Sequence, residues 1–410
     1  MPGDLPDGEP VPDDGALPDS ALTGVGRGGF GVYVHVPFCA SRCGYCDFNT
    51  YTAAELGPPA VPYVDAVLAE LALAAKVLAD APPPRVGTVF FGGGTPTLLP
   101  TEDLARILTA IDQTWGLAAD AEVTTEANPE SVDEASLSRL RRAGFTRVSL
   151  GMQSVAPHVL AVLDRRHTPG RATAAAAQAR AAGFEHVNLD LIYGTPGERP
   201  EDFEASLAAA IDAGVDHVSA YSLIVEEGTA LAARIRRGEL PMPDDDLAAD
   251  RYLAAEAALS AAGFEWYEVS NWARSAAARC RHNLGYWTGA DWWGLGPGAH
   301  SHVGGVRWWN VKHPRRYAAR LAAGRSPGHG RELLTDEQRW TEQVMLRLRL
   351  ADGLPLASLP PAALPVAERA VADGLLSAAG HAAGSAVLTL RGRLLADAVT
   401  RDLLTAPAAA

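Results

Sequence analysis

The stretch from Tyr33 to Phe48 reads YVHVPFCASRCGYCDF, and the interpretation of the whole chain depends on it. Its first residues form an apolar, β-branched run that predicts a strand. The proline after this run and the glycine further on argue against a continuous helix, so a loop is expected at the carboxyl end of the strand. That loop carries Cys39, Cys43 and Cys46, which are three of the four cysteines in the chain.

Three thiols separated by four and three residues can surround one metal centre, and iron–sulfur clusters are bound by cysteine sulfur in this way. A cubane with three cysteine ligands leaves one iron open to another ligand. Two other interpretations remain: a zinc site completed by Cys280 or a histidine, and a set of small buried hydrophobic residues. Four cysteines in 410 residues cannot form a disulfide scaffold.

Beyond the cysteine loop, short β-type runs alternate with Ala/Leu-rich helical stretches, which is typical of βα units around a parallel sheet. Each of four glycines, at positions 144, 183, 214 and 263, follows an alanine-rich helix and precedes an apolar run, as expected of a residue that ends a helix. The unequal spacing of these glycines favours a βα barrel with insertions over a regular repeat. The predicted strands are Tyr33–Val36, Thr88–Phe91, Glu122–Thr125, Arg147–Leu150, His186–Ile192 and His217–Leu223.

Polar or glycine residues stand where several of these strands end. The segment Gly92–Pro96 follows the second strand, Glu126 ends the third, Gln153 follows the fourth and Asp190 lies on the fifth. Because ligands bind at the carboxyl ends of parallel strands, we expect these residues to line one pocket together with the cysteine loop. The glycine segment lacks the lysine of a phosphate-binding loop, so it does not indicate a nucleoside triphosphate site.

The composition describes a folded protein without a general attraction for polyanions. Hydrophobic residues make up 48% of the chain, and 49 acidic against 35 basic residues give a formal net charge of -14. This balance disfavours binding to nucleic acid. The sequence contains neither a long apolar run nor a signal peptide, which predicts a cytoplasmic protein without an integral membrane segment and leaves peripheral membrane association open.

Four regions are predicted along the chain. Residues 1–29 are rich in proline and acidic residues and are expected to be a disordered tail. Residues 30–265 form the βα core. Residues 266–329 contain seven of the nine tryptophans together with His282, His300 and His302, and they are expected to complete the core and to offer a surface for a large flat ligand. Residues 330–410 are expected to form a small, mostly helical domain, with helices over Asp336–Arg347 and Arg393–Leu404.

The Cys-x3-Cys-x2-Cys spacing after a strand resembles the radical S-adenosylmethionine (SAM) superfamily. Further segments, among them Gly92–Pro96, Asp190–Gly197 and Gly294–Ser301, are similar to the oxygen-independent coproporphyrinogen III oxidase family. The resemblance implies an α/β fold with a partial, open (β/α)6 barrel and a [4Fe–4S] cluster on Cys39, Cys43 and Cys46, whose open iron binds SAM. The SAM contacts it implies are Tyr33, Tyr45, Gly93, Gly94, Thr95, Glu126, Gln153, Arg165 and Asp190.

Two features resemble the HemW-type heme chaperone branch of that family. The oxidase motif continues to a further cysteine where this chain has Phe48, and residues 282–287 read HNLGYW, which is similar to the His-Asn-x-x-Tyr-Trp signature of the chaperones. The resemblance implies a protein that binds heme and transfers it to acceptor hemoproteins. His282 is a candidate heme ligand or, alternatively, a structural anchor. Cys280 is a candidate thiolate ligand or covalent attachment point for heme or, alternatively, an inert buried residue.

Two competing functions remain open from the sequence. The chain could be a radical SAM coproporphyrinogen III oxidase, in which SAM chemistry brings about oxidative decarboxylation to protoporphyrinogen IX. It could also be a zinc-stabilised protein without redox chemistry. Phe48, which stands in place of the oxidase cysteine, favours the chaperone over the oxidase.

Overall fold

The computed structural model describes residues 8–56 and 62–406. Its strands are β1 Phe30–Val36, β2 Val86–Gly93, β3 Leu117–Ala127, β4 Arg147–Gln153, β5 His186–Tyr193, β6 His217–Ser222, β7 Glu265–Glu268, β8 Asn271–Ala273, β9 Asp291–Leu295, β10 His300–Val303, β11 Val306–Asn310, β12 Gly328–Leu333, β13 Leu354–Pro355 and β14 Ser385–Ala386.

Helices follow or connect most of these strands. They are α1 Asp19–Leu22, α2 Ala53–Leu56, α3 Tyr63–Val77, α4 Thr101–Trp115, α5 Glu134–Arg142, α6 Pro157–Val162, α7 Arg171–Ala181, α8 Pro200–Asp212, α9 Ala230–Arg236, α10 Asp245–Ala261, α11 Arg281–Thr288, α12 Pro314–Ala322, α13 Asp336–Arg347, α14 Leu364–Ala372, α15 Ala378–Ala382, α16 Leu390–Leu394 and α17 Ala396–Leu404. Short 3-10 turns lie at Pro96–Leu98, Pro129–Ser131, Ala276–Ala278, Leu356–Ser358 and Pro361–Ala363.

Twelve strands form one sheet in the order β12-β11-β10-β9-β1-β2-β3-β4-β5-β6-β8-β7. Strands β1 to β6 are parallel in sequence order, and β9 extends this parallel part on the side of β1. Antiparallel strands complete both edges. Strands β12 and β7 are the two ends of this order, so the pairing is that of an open βα barrel, as the sequence predicts.

The six predicted strands are all present, and side chains alternate between two faces along each of them. On β1, Val32, Val34 and Val36 are completely buried in the apolar core between sheet and helices. Tyr33 and His35 point the other way, into the interior of the barrel, where the Tyr33 hydroxyl lies 2.9 Å from His35 Nδ1. The barrel interior is therefore largely polar, and the hydrophobic core lies outside it.

The four glycines predicted to end helices do so. Gly144, Gly183, Gly214 and Gly263 have φ values of 104°, 87°, 67° and 81°, and they follow α5, α7, α8 and α10 respectively. A residue with a side chain seldom adopts this left-handed conformation, so glycine closes each helix and directs the chain into the next strand.

The predicted disordered tail is wrong for residues 8–29, whereas residues 1–7 lie outside the described residues. Ala21 and Val25 are buried against the core, at 0% and 5% exposure. The backbone N–H of Glu9 donates to the carbonyl of Arg331 at 2.8 Å, and the N–H of Arg331 donates back at 2.8 Å. Composition indicated disorder, but pairing with β12, next to the sheet edge, supplies the segment with hydrogen bonds and apolar contacts that its own sequence does not reveal.

The tryptophan-rich region completes both edges of the sheet, as predicted, and most of its tryptophans are buried. Five of its seven indoles are buried at 8% exposure or less: Trp266, Trp272, Trp293, Trp308 and Trp309. Their bulk fills the space between edge strands and helices. This burial favours the interpretation that these tryptophans complete the core over the interpretation that they offer a surface to a flat ligand.

The C-terminal region is mostly helical, as predicted, and has its own hydrophobic cluster. That cluster includes Val344, Leu348 and Leu403, all completely buried. The helix over Asp336–Arg347 is confirmed, whereas the predicted last helix is divided into α16 and α17. Across residues 8–56 and 62–406, no helix has the length and apolar character needed to cross a bilayer.

Candidate functional site

The cysteine loop, residues 37–52, lies between β1 and α2 and is fixed to its surroundings by backbone hydrogen bonds. Cys39 N–H donates to the carbonyl of Tyr51 at 3.0 Å. Gly44 N–H donates to the carbonyl of Leu163 at 3.0 Å, and Leu231 N–H donates to the carbonyl of Gly44 at 2.7 Å. Contacts to residues after α6 and at the start of α9 thus hold the middle of the loop in place.

This loop forms one side of a cavity of about 400 Å³, which we call the cluster cavity. Eleven of the thirteen residues singled out from the sequence line it: Cys39, Cys43, Tyr45, Cys46, Gly93, Gly94, Thr95, Glu126, Gln153, Arg165 and Asp190. The parallel strands therefore bring distant parts of the chain together in the lining of the cluster cavity. The two residues that do not line the cavity are Tyr33 and His282.

The glycine segment after β2 packs directly against the cysteine loop. Gly94 N–H donates to the carbonyl of Val36 at 2.8 Å, and Thr95 N–H donates to the carbonyl of Phe38 at 2.7 Å. A Cβ on Gly94 would lie 2.5 Å from the Phe38 oxygen, and a Cβ on Gly93 would lie 2.5 Å from the His35 ring. Glycine is required here because the segment after β2 lies too close to the start of the cysteine loop to leave room for a side chain. The hydrogen bonds between the two segments fix where the loop starts.

The sulfur atoms have the surroundings expected of cluster ligands. Arg165 Nη1 lies 3.6 Å from Cys43 Sγ, while its Nη2 donates to the carbonyl of Gly151 at 2.8 Å. Burial raises the pKa of the Cys39 thiol and raises that of Cys46 to about 11. Without a metal these two thiols are protonated at neutral pH, so metal binding would release protons.

The donor set fits an iron–sulfur cluster, because three cysteines line one cavity. In a cubane each cysteine binds a different iron, so the thiols stand further apart than they do around one ion. Within residues 8–56 and 62–406, no three His, Cys, Asp or Glu side chains are gathered around a position for one metal ion. Three thiols spread along one wall of a cavity are compatible with a cluster.

Two carboxylates lie opposite the cysteines. Glu126 Oε2 accepts a hydrogen bond from Gly93 N–H at 3.0 Å, and Asp190 accepts from the Ser149 hydroxyl at 2.8 Å and from the Asn188 amide at 2.7 Å. Burial, together with the negative charge of Asp190, raises the pKa of Glu126 to about 7. Burial also raises the pKa of Asp190. This pair offers a cationic ligand two poorly solvated negative charges.

Several cavity residues were not found from the sequence. Tyr221, near the end of β6, and Ile224, after it, line the cavity at 40% and 67% exposure. Phe48 lines it from the cysteine loop at 56% exposure. The strand-end rule would have found Tyr221, because it stands near the carboxyl end of β6. Phe48 and Ile224 form an exposed apolar rim whose position depends on loop geometry, so no sequence pattern indicated it.

Tyr33 lies beneath the cavity. Its ring stacks on Phe90 at 6.2 Å and on His282 at 6.4 Å between centroids, in the interior of the barrel. The expectation that Tyr33 lines the SAM pocket is therefore not supported by its position. Burial, with the charge of Glu126 as a smaller cause, raises the pKa of its hydroxyl.

His282 lies in the same interior layer, and both of its ring nitrogens are engaged. Nδ1 is 2.8 Å from the Thr88 hydroxyl, Nε2 is 2.8 Å from the Tyr286 hydroxyl, and the residue is 3% exposed. Burial lowers the pKa of its imidazole to about 4. Because both nitrogens are engaged, this geometry favours the alternative of a structural anchor over that of a heme ligand.

Helix α11, which carries His282, closes the barrel at the amino ends of the strands. Glu122 accepts hydrogen bonds from the backbone N–H groups of Arg281 and His282 at 3.1 and 3.0 Å, and it pairs with Arg147 at 3.2 Å. Cys280 is here too, 4% exposed, with its Sγ 3.6 Å from Glu122. Burial raises the pKa of the Cys280 thiol, and the residue does not line the cluster cavity. Both observations favour the interpretation of Cys280 as an inert buried residue.

Comparison with known proteins agrees with this architecture. A model of the radical SAM superfamily matches residues 33–210. The heme chaperone HemW of Mycobacterium tuberculosis is 60% identical over 376 residues, which are 92% of this chain and 95% of that protein. The heme chaperone HemW of Bacillus subtilis is 33% identical over 323 residues, which are 78% and 84% of the two chains.

Among solved structures, the coproporphyrinogen III oxidase HemN of Escherichia coli is similar with a TM-score of 0.75. The match has 24% sequence identity and covers 92% of this chain and 90% of that chain, which supports the shared fold. Sequence identity over nearly the whole length decides between the two branches. The resemblance drawn from the cysteine spacing and residues 282–287 is confirmed: the chain belongs to the HemW family of heme chaperones, within the radical SAM superfamily.

Proposed function

We propose that this protein binds heme and transfers it to acceptor hemoproteins, and that it carries a [4Fe–4S] cluster and SAM on its radical SAM scaffold. The observation that carries the proposal is the 60% identity to a heme chaperone over 92% of the chain. The cluster cavity supports the cofactor part, because three cysteines and the strand-end residues share it.

In this proposal Cys39, Cys43 and Cys46 bind the cluster, and Glu126, Gln153 and Asp190 face SAM together with the glycine segment after β2. The cofactors, when bound, supply one-electron redox chemistry. The protein contributes binding and orientation. Arg165 places a positive charge 3.6 Å from the Cys43 sulfur.

The raised pKa of Glu126 gives SAM binding a pH dependence. Because burial and Asp190 raise that pKa to about 7, Glu126 becomes protonated as the pH falls through neutrality. SAM carries positive charge and binds the ionised carboxylate. Between about pH 8 and pH 6 the ionised fraction falls by about tenfold, and we expect the affinity for SAM, measured by calorimetry on the reconstituted protein, to fall similarly.

Two variants provide the comparison. Glu126→Gln removes the titrating group, so its SAM affinity is expected to be weaker and nearly flat over this pH range. Glu204→Gln changes an exposed carboxylate on α8 and should keep the profile of the wild type. An unchanged slope in Glu126→Gln would contradict the role given to this carboxylate.

We also propose a cytoplasmic location. A thiolate-bound cluster and four cysteines without a disulfide suit a reducing compartment.

Heme uptake and transfer test the proposed function. Hemin is titrated anaerobically into the reconstituted full chain while the Soret band is recorded, and saturation is expected near one heme per chain. Apomyoglobin is then added as a model acceptor, and the spectrum is expected to change to that of the holoprotein faster than with free hemin aggregates. Absence of saturable uptake would reject the chaperone function.

The same preparation tests the oxidase alternative. The cavity retains cysteines and strand-end polar residues that a radical SAM enzyme would use, which is the observation in favour of this candidate. Incubation with coproporphyrinogen III, SAM and a reductant is expected to yield no protoporphyrinogen IX. Formation of that product would make the protein an oxidase.

A further inference from the structure

A second, larger cavity lies beside the cluster cavity. It has a volume of about 770 Å³ and is bounded by the end of β4, by α6 and by the start of α7; we call it the α6–α7 cavity. Its volume is within the roughly 300–1,000 Å³ of pockets that bind cofactors and other small molecules. Arg165 and Arg166 line both cavities, so the two are separated by a single segment of chain.

One wall of the α6–α7 cavity is apolar. Met152 and Leu160 contribute buried side chains to it, at 1% and 8% exposure, and Pro169 and Ala172 extend this wall. Val155 is 38% exposed and also lines the cavity. A wall of this kind suits a flat apolar molecule that enters from the surface.

His167 supplies a metal-binding group to the same cavity. The ring is half-buried in the cavity lining. Its Nδ1 is buried and closed to the cavity, so Nε2 is the ring nitrogen that a ligand can reach. Neither nitrogen has a hydrogen-bond partner among the described residues, in contrast to His282, whose two ring nitrogens are both engaged. Burial, with Arg165 as a smaller cause, lowers the pKa of His167, so the ring is neutral at neutral pH. Neutral imidazole is the form that binds heme iron.

Charged side chains complete the lining. Arg166 is exposed and can pair with a carboxylate, as guanidinium groups do through two parallel hydrogen bonds. Of the two acidic residues, Asp164 is exposed, and Glu130 already accepts a hydrogen bond from Thr168 N–H at 2.6 Å. The cavity therefore combines an apolar wall, an imidazole and a cation for a carboxylate, which are the groups that heme requires.

We infer that the α6–α7 cavity is the heme site and that His167 is the axial ligand of the heme iron. This inference rests on the proposed function. It places the cargo next to the cluster cavity, with Arg165 in contact with both. It also assigns the histidine of the segment between β4 and α7, and not the tryptophan-rich region, to heme.

Two variants test this site, one by removing the proposed ligand and the other by filling the cavity. His167→Ala removes the ligand, and Ala161→Trp places a large side chain at an exposed position of the lining without altering the apolar core. His329→Ala, on the exposed side of β12, is the matched control. Each full-length protein is reconstituted, and hemin is titrated while Soret and electron paramagnetic resonance spectra are recorded.

We expect His167→Ala to weaken hemin binding by at least about tenfold and to shift the Soret maximum and the iron spin state. Ala161→Trp should weaken binding without changing the ligand signature of the heme that remains bound. His329→Ala should match the wild type. If the wild type takes up hemin and neither variant changes this uptake, the proposed heme site is wrong but the chaperone function stands. If the wild type takes up no hemin, both the site and the chaperone function are rejected.

Discussion

Replacing Cys43 with serine is expected to remove the iron–sulfur cluster. In the structure Cys43 lines the cluster cavity with Cys39 and Cys46, and its sulfur lies 3.6 Å from Arg165 Nη1. A serine oxygen at this position is a poor ligand for cluster iron at neutral pH, because clusters are bound by soft thiolate sulfur. With two cysteines left, one iron of the cubane would have no protein ligand at this position. We expect the remaining two cysteines to bind the cluster too weakly to retain it.

Iron and sulfide analysis after anaerobic reconstitution measures this loss. The wild type should contain a full cluster per chain and absorb broadly near about 400 nm, whereas Cys43→Ser should contain almost none and be nearly colourless. Cys280→Ser is the matched control, because that cysteine is buried near Glu122 at the other end of the barrel. A full cluster in Cys43→Ser, or its loss in Cys280→Ser, would overturn the assignment of ligands.

The fold could be predicted because its strongest signals are local. The six parallel strands are apolar runs that alternate with helices, and all six are present. Three of these helices end at Gly144, Gly183 and Gly214, directly before β4, β5 and β6.

The strand ends extend beyond the predicted ones in most cases; β3, for example, begins at Leu117 and not at Glu122. The polar residues before Glu122 interrupt the apolar run. Leu117 still pairs with Val86 of β2 and Glu122 pairs with Thr88, with a register shift between these two pairs.

The cluster cavity could be predicted for a related reason. Glu126, Gln153 and Asp190 are far apart in sequence, but parallel strands bring their carboxyl ends to one edge. A correct prediction of the parallel strands is therefore enough to predict that these side chains lie at the same edge of the sheet. Tyr33 stands two residues earlier on β1 than His35 and on the same face, so its ring lies deeper in the barrel than the lining of the cluster cavity.

The tryptophan-rich region could not be interpreted from its composition alone. An indole that fills a core and an indole that offers a surface to a ligand look identical in the sequence. Which of them is realised depends on how β9 to β12 extend the sheet and on which helices cover it. His282 shows the same ambiguity, since only the structure reveals that Thr88 and Tyr286 engage both of its nitrogens.

Replacing Glu122 with glutamine is expected to lower the free energy of unfolding by about 3–5 kcal/mol, the cost of leaving one partner of a buried ion pair uncompensated. Glu122 and Arg147 are 4% and 2% exposed, and their side chains pair at 3.2 Å inside the barrel. The substitution leaves the Arg147 charge buried. It also weakens the two hydrogen bonds by which Glu122 holds the start of α11.

The direction in which the pKa of Glu122 is shifted decides how the stability contributed by the ion pair changes with pH. Burial alone would raise this pKa, but Arg147 and the backbone N–H groups of Arg281 and His282 outweigh burial and hold it below its ordinary value. The ion pair therefore stabilises the folded state above the pKa of an exposed glutamate, and this stabilisation is lost as the pH falls through the lower pKa of the folded protein.

Chemical denaturation at neutral pH measures the change in unfolding free energy. Asp120→Asn is the matched control, because it removes a carboxylate from the same strand that is 80% exposed and pairs with Arg281 at 3.0 Å, so about 0–1 kcal/mol is expected. Adding Arg147→Met to Glu122→Gln should recover part of the loss, since no buried charge then lacks a partner. Equal effects of Glu122→Gln and Asp120→Asn would mean that α11 closes the barrel without help from this ion pair. The first residues of the His-Asn-x-x-Tyr-Trp motif would then need another structural reason for their position.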